Sequence, residues 1–217
     1  MNNANNSASR AFAATRTLCL VVLCFTAGCL SRPALHQQTL GFDRPADSVA
    51  KTTARTQRVV DIRSVRVAAP FDDRALVYRV GEFCYEADPY AGFLVSPADS
   101  LREPIASWMR QSDLFQDVVE RGSAVKPNAM VEITAVELYG DFRPEQKAAA
   151  VLTLRFVLLD SAEGIPGPVF FEHEYSRRVP LNERNANALM AGWNEALNQI
   201  LTELNRDLCR VNAPPGH

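Results

Sequence analysis

Two alternating segments near the middle of the chain, 129–139 and 149–159, constrain the fold most strongly. In each of them apolar residues recur at every second position, and polar residues such as Glu132 and Arg155 fall between them. This period of two is typical of strands that bury one face. The apolar positions are Val131, Ile133, Ala135, Leu152, Leu154, Phe156 and Leu158. Because the polar stretch between the segments contains Pro144, we predict a hairpin.

Three further segments have the character of strands. The segment 169–179 follows a turn-rich stretch at 160–168, which predicts a third antiparallel strand and a three-stranded meander. The β-branched segment 59–67 ends before Pro70, and 76–80 follows it as a short companion. The sequence therefore predicts at least five strands.

A long amphipathic helix is predicted at the end of the chain. It extends over about 25 residues from Asn182, where apolar residues recur at intervals of three and four. Asn182 can cap this helix, and Leu181 can serve as a hydrophobic staple. The predicted apolar face consists of Leu189, Trp193, Ala196, Leu197, Ile200, Leu204 and Leu208.

An earlier amphipathic helix is predicted around Trp108. Ser96 and Pro97 suit its first turn. Pro104 would interrupt the hydrogen bonding, so the helix is either kinked or begins near Glu103. Each helix has only one apolar face, which predicts packing on one side of a twisted sheet. The predicted fold class is therefore α+β, a two-layer sandwich with a mostly antiparallel mixed sheet and two main helices on one face.

The N-terminal segment has the pattern of a bacterial lipoprotein signal peptide. Two arginines precede a short apolar run at 18–25, and no acidic residue occurs before residue 29. The run is far below the roughly 20 residues that a membrane-spanning helix needs. The small residues Ala-Gly precede Cys29, which predicts cleavage there and attachment of lipid to Cys29. The alternatives are an ordinary secretory signal with a chance cysteine and a short buried helix.

These features predict the organisation of the whole chain. We expect a signal peptide at 1–28, a lipidated tether at 29–35, one domain at 36–210 and a flexible tail at 211–217, with a surface loop at 43–57. Roughly 190 mature residues are enough for a single domain with its own core. Removal of the signal peptide changes the formal net charge from −2 to −4. That balance does not suggest a nucleic-acid partner.

Two cysteines remain in the mature chain besides Cys29. Cys84 and Cys209 would enter an oxidising compartment after export. They can form a disulfide with each other, or they can remain as small buried thiols. No spacing rule decides between these two alternatives.

The sequence contains no recognisable catalytic constellation. His36, His173 and His217 are scattered, without the spacing of metal ligands, and no phosphate-binding glycine loop or nucleophile elbow occurs. The carboxylate pairs Asp72-Asp73 and Glu172/Glu174 are interpreted as solvated surface charge, because one lies in a turn and the other on an alternating strand. We therefore predict no metal site, no cofactor and no enzymatic activity.

The segment 72–79, DDRALVYR, resembles a strand of the ABC-type transport auxiliary lipoprotein family. Other similar segments follow in the family's order, and the similarity covers residues 36–210. These segments are 93–98, 108–109, 112–119, 138–142 and the long final helix. The order of these segments behind the lipoprotein signal is more specific than any one of them.

The matched residues also have structural explanations. We expect Tyr78 and Trp108 to be core or near-core aromatic residues. Gly140 would permit a bulge or a close approach of the backbone. Pro97 would begin a helix.

The resemblance implies a role in the cell envelope. Members of this family accompany mammalian-cell-entry (MCE) lipid transporters, so the expected partners are an MCE-domain protein and, through it, an inner-membrane permease and an ATPase. An exposed strand edge or one helix face can also contact a second copy of the chain in a homo-oligomer, and the sequence does not fix the oligomeric state. Because Leu30 rather than an aspartate follows Cys29, similarity to bacterial lipoproteins implies the periplasmic face of the outer membrane. The alternative function is a stand-alone lipid-binding or envelope-structural lipoprotein.

Overall fold

The computed structural model describes residues 37–43, 55–119, 123–162 and 165–212. Eight strands form one mixed sheet in this part of the chain. The strands are β1 (Gln38–Leu40), β2 (Val59–Val67), β3 (Ala75–Arg79), β4 (Tyr85–Phe93), β5 (Asp117–Val119), β6 (Ala129–Asp141), β7 (Ala149–Ala162) and β8 (Ile165–Pro180). The helices are α1 (Pro97–Gln111) and α2 (Ala186–Asn212). The predicted signal peptide, Cys29, the predicted tether and most of the predicted loop lie outside the described residues.

The predicted meander is confirmed. β7 pairs antiparallel with β6 along its length, and β8 pairs antiparallel with the other edge of β7. The prediction of turns throughout 160–168 was wrong, since β7 continues to Ala162 and β8 begins at Ile165. Pro166 and Pro168 are compatible with β8 because this strand lies at the edge of the sheet, where a missing N–H is tolerated.

β2 and β3 lie end to end along the second edge of β6. β2 runs parallel to the first half of β6, and β3 runs parallel to its last two residues. The residues between them, 68–74, leave the sheet in a short 3-10 turn at Ala69–Phe71. Both predicted strands are thus confirmed, and together they occupy the edge of β6 that β7 does not use.

Three strands were not predicted. β4 pairs antiparallel with β3, β1 pairs parallel with β4, and β5 pairs parallel with β2. β1 and β5 have three residues each, which is too short for a detectable alternation. β4 contains Asp88 and Pro89, two residues that are depleted in strands.

α1 begins at Pro97 and continues through Pro104. The Ser96 hydroxyl accepts a hydrogen bond from the Asp99 amide at 3.1 Å, which caps the helix as the first alternative predicted. Pro104 removes one backbone hydrogen bond, but it is buried and packs within the domain. The chain leaves α1 through Asp113, whose φ of 54° lies in the left-handed region.

α2 begins four residues later than predicted. Asn185, rather than Asn182, caps it, because the Asn185 Oδ1 accepts a hydrogen bond from the Ala188 amide at 2.8 Å. The preceding residues are held outside the helix by Arg184, which donates to the carbonyls of Phe142, Arg143 and Gln146. The helix extends to Asn212, two residues into the predicted tail.

Both helices pack on the same face of the sheet, as predicted. The predicted apolar face of α2 is fully buried, and it shares one core with Leu101, Ile105 and Trp108 of α1. Trp193 stacks on Phe93 with a distance of 5.7 Å between ring centroids. The predicted α+β fold class is therefore confirmed, and the longest ladders, β6–β7 and β7–β8, are antiparallel.

Within the described residues, no α-helix packs on the opposite face of the sheet, which is largely polar. Its residues alternate with the buried ones along β6, β7 and β8. They include Glu132, Thr134, Glu137, Thr153, Arg155, Glu172, Glu174 and Ser176. This surface is called the uncovered face below.

Candidate functional site

A groove of about 290 Å³ lies between α1 and the strands β2 and β5. It is lined by Asp61, Ile62, Arg102, Glu103, Ala106, Arg110, Val118 and Val119. The apolar residues are mostly buried, whereas Glu103 and Arg110 are exposed. The groove thus has an apolar floor and a charged rim, which is the composition of a protein-contact surface.

Side-chain contacts fix the shape of the groove. The Arg102 guanidinium donates to the carbonyl of Ile62 at 2.9 Å, which joins α1 to β2. Arg110 and Glu103 form an ion pair at 3.2 Å along the exposed side of α1. None of the eight lining residues is a Ser, Cys or His, so the groove holds no hydroxyl or thiol nucleophile beside an imidazole base. Its chemistry suits non-covalent binding of an apolar segment flanked by charges.

A buried carboxylate lies at the end of β6. The Asp141 side chain has no solvent exposure, and it accepts hydrogen bonds from Arg143 and Arg178, each at 2.6 Å. The Arg143 hydrogen bond lowers the pKa of the Asp141 carboxyl, Arg178 adds to this effect, and burial opposes it. Arg178 also donates to the carbonyl of Lys147 at 3.3 Å. This cluster therefore joins β6, β8 and the loop after β6.

Aromatic side chains collect on the uncovered face beside this cluster. Tyr139 stacks on Phe71 of the 3-10 turn, with 5.7 Å between ring centroids. Tyr85 makes edge contacts with both rings, and the Arg79 guanidinium lies 5.7 Å from the Tyr85 centroid. Burial raises the pKa of the Tyr139 hydroxyl, and the nearby Glu137 charge adds to this effect. These contacts hold residues 68–74 against the sheet.

The cysteines that the sequence singled out lie apart from the groove. Cys84 is exposed in the turn between β3 and β4, and Cys209 is half-buried near the end of α2. The two are not bonded to each other in the structure. The exposed Cys84 also differs from the small buried thiol that the second alternative describes.

The other titratable candidates are dispersed. His173 is exposed on β8, with its ring 4.5 Å from the Tyr175 ring. Glu172 and Glu174 are exposed on the uncovered face, and Asp72 and Asp73 are exposed in the turn before β3. Within the described residues, no three metal-binding side chains come together. His36 and His217 lie outside those residues.

The residues that carry the family resemblance hold the fold together. A Cβ on Gly140 would lie 3.0 Å from Leu189 and 3.1 Å from Tyr78, so the predicted close approach is present. Tyr78 stacks on Phe142 at 4.7 Å and donates to Asp88 at 2.5 Å. Burial and the Asp88 hydrogen bond raise the pKa of Tyr78.

The remaining two matched residues also have the predicted roles. Trp108 is buried, and Pro97 begins α1. Neither the groove nor the Asp141 cluster was predicted. The groove combines segments that lie far apart in the chain. Arg143, two residues after Asp141, was the only local signal for the cluster, since Arg178 comes 37 residues later in the chain.

Comparisons with known proteins identify the family. The model of the ABC-type transport auxiliary lipoprotein component matches residues 39–205. The Xanthomonas campestris protein XCC0632 has a similar fold, with 17% identity, a TM-score of 0.65, and coverage of 78% of this chain and 95% of its own. An uncharacterised protein of known structure is 11% identical, with a TM-score of 0.57 and coverage of 82% and 99%.

The hypothetical protein CT253 of Chlamydia trachomatis is 9% identical, with a TM-score of 0.50 and coverage of 71% and 99%. At these identities the structural similarity concerns the fold alone. No curated protein matches this sequence. Neither helix in the described part of the chain is long and apolar enough to cross a membrane. The family model covers most of the chain and confirms the resemblance: the protein belongs to the family of ABC-type transport auxiliary lipoprotein components.

Proposed function

We propose that this protein is a non-enzymatic lipoprotein of the outer membrane and a component of an MCE-type ABC lipid-transport system. The family match over residues 39–205 is the observation that carries this proposal. A lipid at Cys29 would hold the domain on the periplasmic face of the outer membrane. There it would dock or receive the periplasmic MCE protein, which connects it to the permease and the ATPase of the inner membrane.

The groove between α1 and β5 is the surface that we assign to the MCE protein. Its charged rim can fix the position of a bound protein segment, and its apolar floor supplies contact area. Both features suit the binding of a protein segment. A stand-alone lipid carrier would instead need an enclosed apolar cavity for an acyl chain. Half of the lining residues of the groove are charged, so this groove favours docking over the storage of lipid.

In-cell photo-crosslinking tests the assignment. A photoreactive amino acid is placed at the exposed groove positions Glu103 and Arg110, with Gln199 on the exposed side of α2 as the matched control. We expect the MCE protein to be captured from the groove and not from Gln199. If no position on the domain captures it while the partner genes are expressed, the stand-alone lipoprotein becomes the better interpretation.

The lipid anchor is tested separately. Cys29→Ser should prevent the transfer of lipid and leave an uncleaved or soluble periplasmic form. Incorporation of radioactive palmitate measures this directly. Equal incorporation by the wild-type protein and by the Cys29→Ser variant would rule out Cys29 as the attachment site.

A further inference from the structure

One end of the sheet is formed by three loops, 80–84, 142–148 and 181–185, and we call it the loop end. Arg79 at the end of β3 pairs with Asp141 at the end of β6. Asp141 pairs with Ala149 at the start of β7, which in turn pairs with Pro180 at the end of β8. The three loops that follow or precede these residues therefore lie side by side.

Phe83 stands out at the loop end because 89% of its surface is exposed. The turn that carries it is well ordered by hydrogen bonds. The Val80 amide donates to the Cys84 carbonyl at 2.9 Å, and the Arg79 side chain donates to the carbonyl of Glu82 at 2.6 Å. Tyr85, 44% exposed, follows directly. The turn therefore holds an apolar ring out into the surroundings instead of folding it onto the core.

The direction of β1 relates this turn to the membrane. β1 runs parallel to β4, with Gln38 opposite Ala91. The start of β4 lies at the loop end, since Tyr85 pairs with Arg79. The first residue of β1 is therefore directed toward the loop end. Seven residues, 30–36, lie between Cys29 and Gln37, and in an extended chain the distance between Cys29 and Gln37 is at most about 29 Å. The distance along β4 from Ala91 back to Tyr85 is about 20 Å, so the tether is long enough to bring a lipid at Cys29 level with the Phe83 turn.

The charge of the loop end is also compatible with a membrane surface. Its loops carry three cationic and three acidic side chains. They are Arg143, Lys147, Arg184, Glu82, Glu145 and Glu183. A balanced surface repels neither the phosphate nor the ammonium of a zwitterionic phospholipid headgroup, and Phe is among the side chains that bury their apolar surface at the boundary between headgroups and acyl chains.

We propose that the loop end faces the membrane to which the protein is anchored and that Phe83 inserts at the boundary between the headgroups and the acyl chains of its phospholipids. An isolated exposed apolar residue is common on protein surfaces. Phe83 differs because the direction of β1 brings the lipid attachment site, and hence the membrane, to the same end of the sheet. The proposal rests on the proposed lipid anchor. Insertion of Phe83 gives the domain a fixed orientation, because it adds a second contact to the lipid at Cys29.

Fluorescence quenching by lipids tests the proposal in the mature, lipidated protein. The variant Phe83→Trp is reconstituted into vesicles of phosphatidylcholine brominated in its acyl chains, and into unbrominated vesicles for reference. Ile165→Trp is the matched control, because Ile165 is 69% exposed at the start of β8, at the opposite end of the sheet. The native Trp108 and Trp193 are buried and give a constant background.

We expect the indole introduced by Phe83→Trp to shift its emission to shorter wavelength and to lose most of its fluorescence in brominated vesicles. The indole introduced by Ile165→Trp should be unaffected. Equal quenching of the two variants, or shielding at position 83 only when a partner protein is added, would overturn the proposal. Flotation of the protein with the vesicles is measured in parallel. If the protein does not float with the vesicles, both the proposed lipid anchor and this proposal are contradicted. If it floats but shows no selective quenching, only the insertion of Phe83 is overturned.

Discussion

The indole Nε1 of Trp193 donates a hydrogen bond to the backbone carbonyl of Val151, 3.0 Å away. This bond joins α2 to β7 inside the core, where Trp193 has no solvent exposure. A buried carbonyl that loses its donor has no water to replace it. The contact therefore fixes the position of the helix along the strand as well as its distance from the sheet.

Trp193→Phe should lower the free energy of unfolding by about 2–4 kcal/mol, because it removes the hydrogen bond and leaves a small cavity. Chemical denaturation of the mature domain measures this loss. Gln199→Ala, on the exposed side of the same helix, should change the stability by less than about 0.5 kcal/mol. Similar values for the two variants would contradict a structural role for the indole.

Gly192→Ala should destabilise the protein even though alanine is the better helix former. A Cβ at position 192 would lie 2.6 Å from Leu181 and 2.7 Å from Ala150, so α2 would have to move away from β7. We expect a cost of about 1–3 kcal/mol from overpacking, larger than the gain of about 1 kcal/mol in helix propensity. The control is Gly41→Ala, where the nearest atom would be the Ser100 hydroxyl at 3.8 Å. A thermal melt that shows Gly192→Ala to be stabilised would refute this packing.

Asp141→Asn should reduce the stability at neutral pH by about 2 kcal/mol, because it removes the buried negative charge beside two arginines and replaces one accepting oxygen by an NH2 group that cannot accept. The pKa of Asp141 is lowered in the folded state by Arg143, so its contribution is complete above the unfolded pKa of about 4 and decreases as the pH falls below that value. The difference in the free energy of unfolding between the wild-type protein and the variant should therefore become smaller in acid.

Asp160→Asn provides the comparison for Asp141. Asp160 forms an ion pair with Arg58 at 3.1 Å, but 48% of its side chain is exposed. Water screens such a pair, and we expect a loss below about 1 kcal/mol. Denaturation of both variants across the acid range would decide whether burial distinguishes the two carboxylates. If the difference in free energy of unfolding between wild type and Asp141→Asn does not change with pH, the charge of the Asp141 carboxylate is not the cause of the stabilisation.

A thiol titration should find two reactive cysteines in the denatured, unreduced mature protein. Cys84 lies at the loop end, whereas Cys209 lies about 30 Å along α2 from Leu189, the residue that contacts Gly140 near that end. A disulfide needs Cα atoms within about 7 Å. Finding no reactive thiol would show that the two ends of the domain approach each other more closely than in this structure.

The sequence predicted the central elements because their patterns are long. β6 and β7 alternate over more than ten residues each, and the apolar face of α2 repeats over several turns. Local ambiguity explains the errors: Asn182 and Asn185 are equally good caps, and only the contacts of Arg184 decide between them. The groove could not be predicted, since residues from 61 to 119 meet there only in the folded chain.

The end-to-end placement of β2 and β3 along β6 influences how the chain folds. Ile62 pairs with Val131 and Tyr78 with Gly140, partners that lie more than 60 residues later in the sequence. β6, β7 and β8 pair with their immediate neighbours, so we expect the meander to form first and the N-terminal strands to dock onto it afterwards. Ile62→Val should then accelerate unfolding more than it slows refolding in stopped-flow experiments. On the export route proposed above, the strands that leave the inner membrane first would be the last to find their partners, and over that interval their apolar residues would be open to proteases and chaperones.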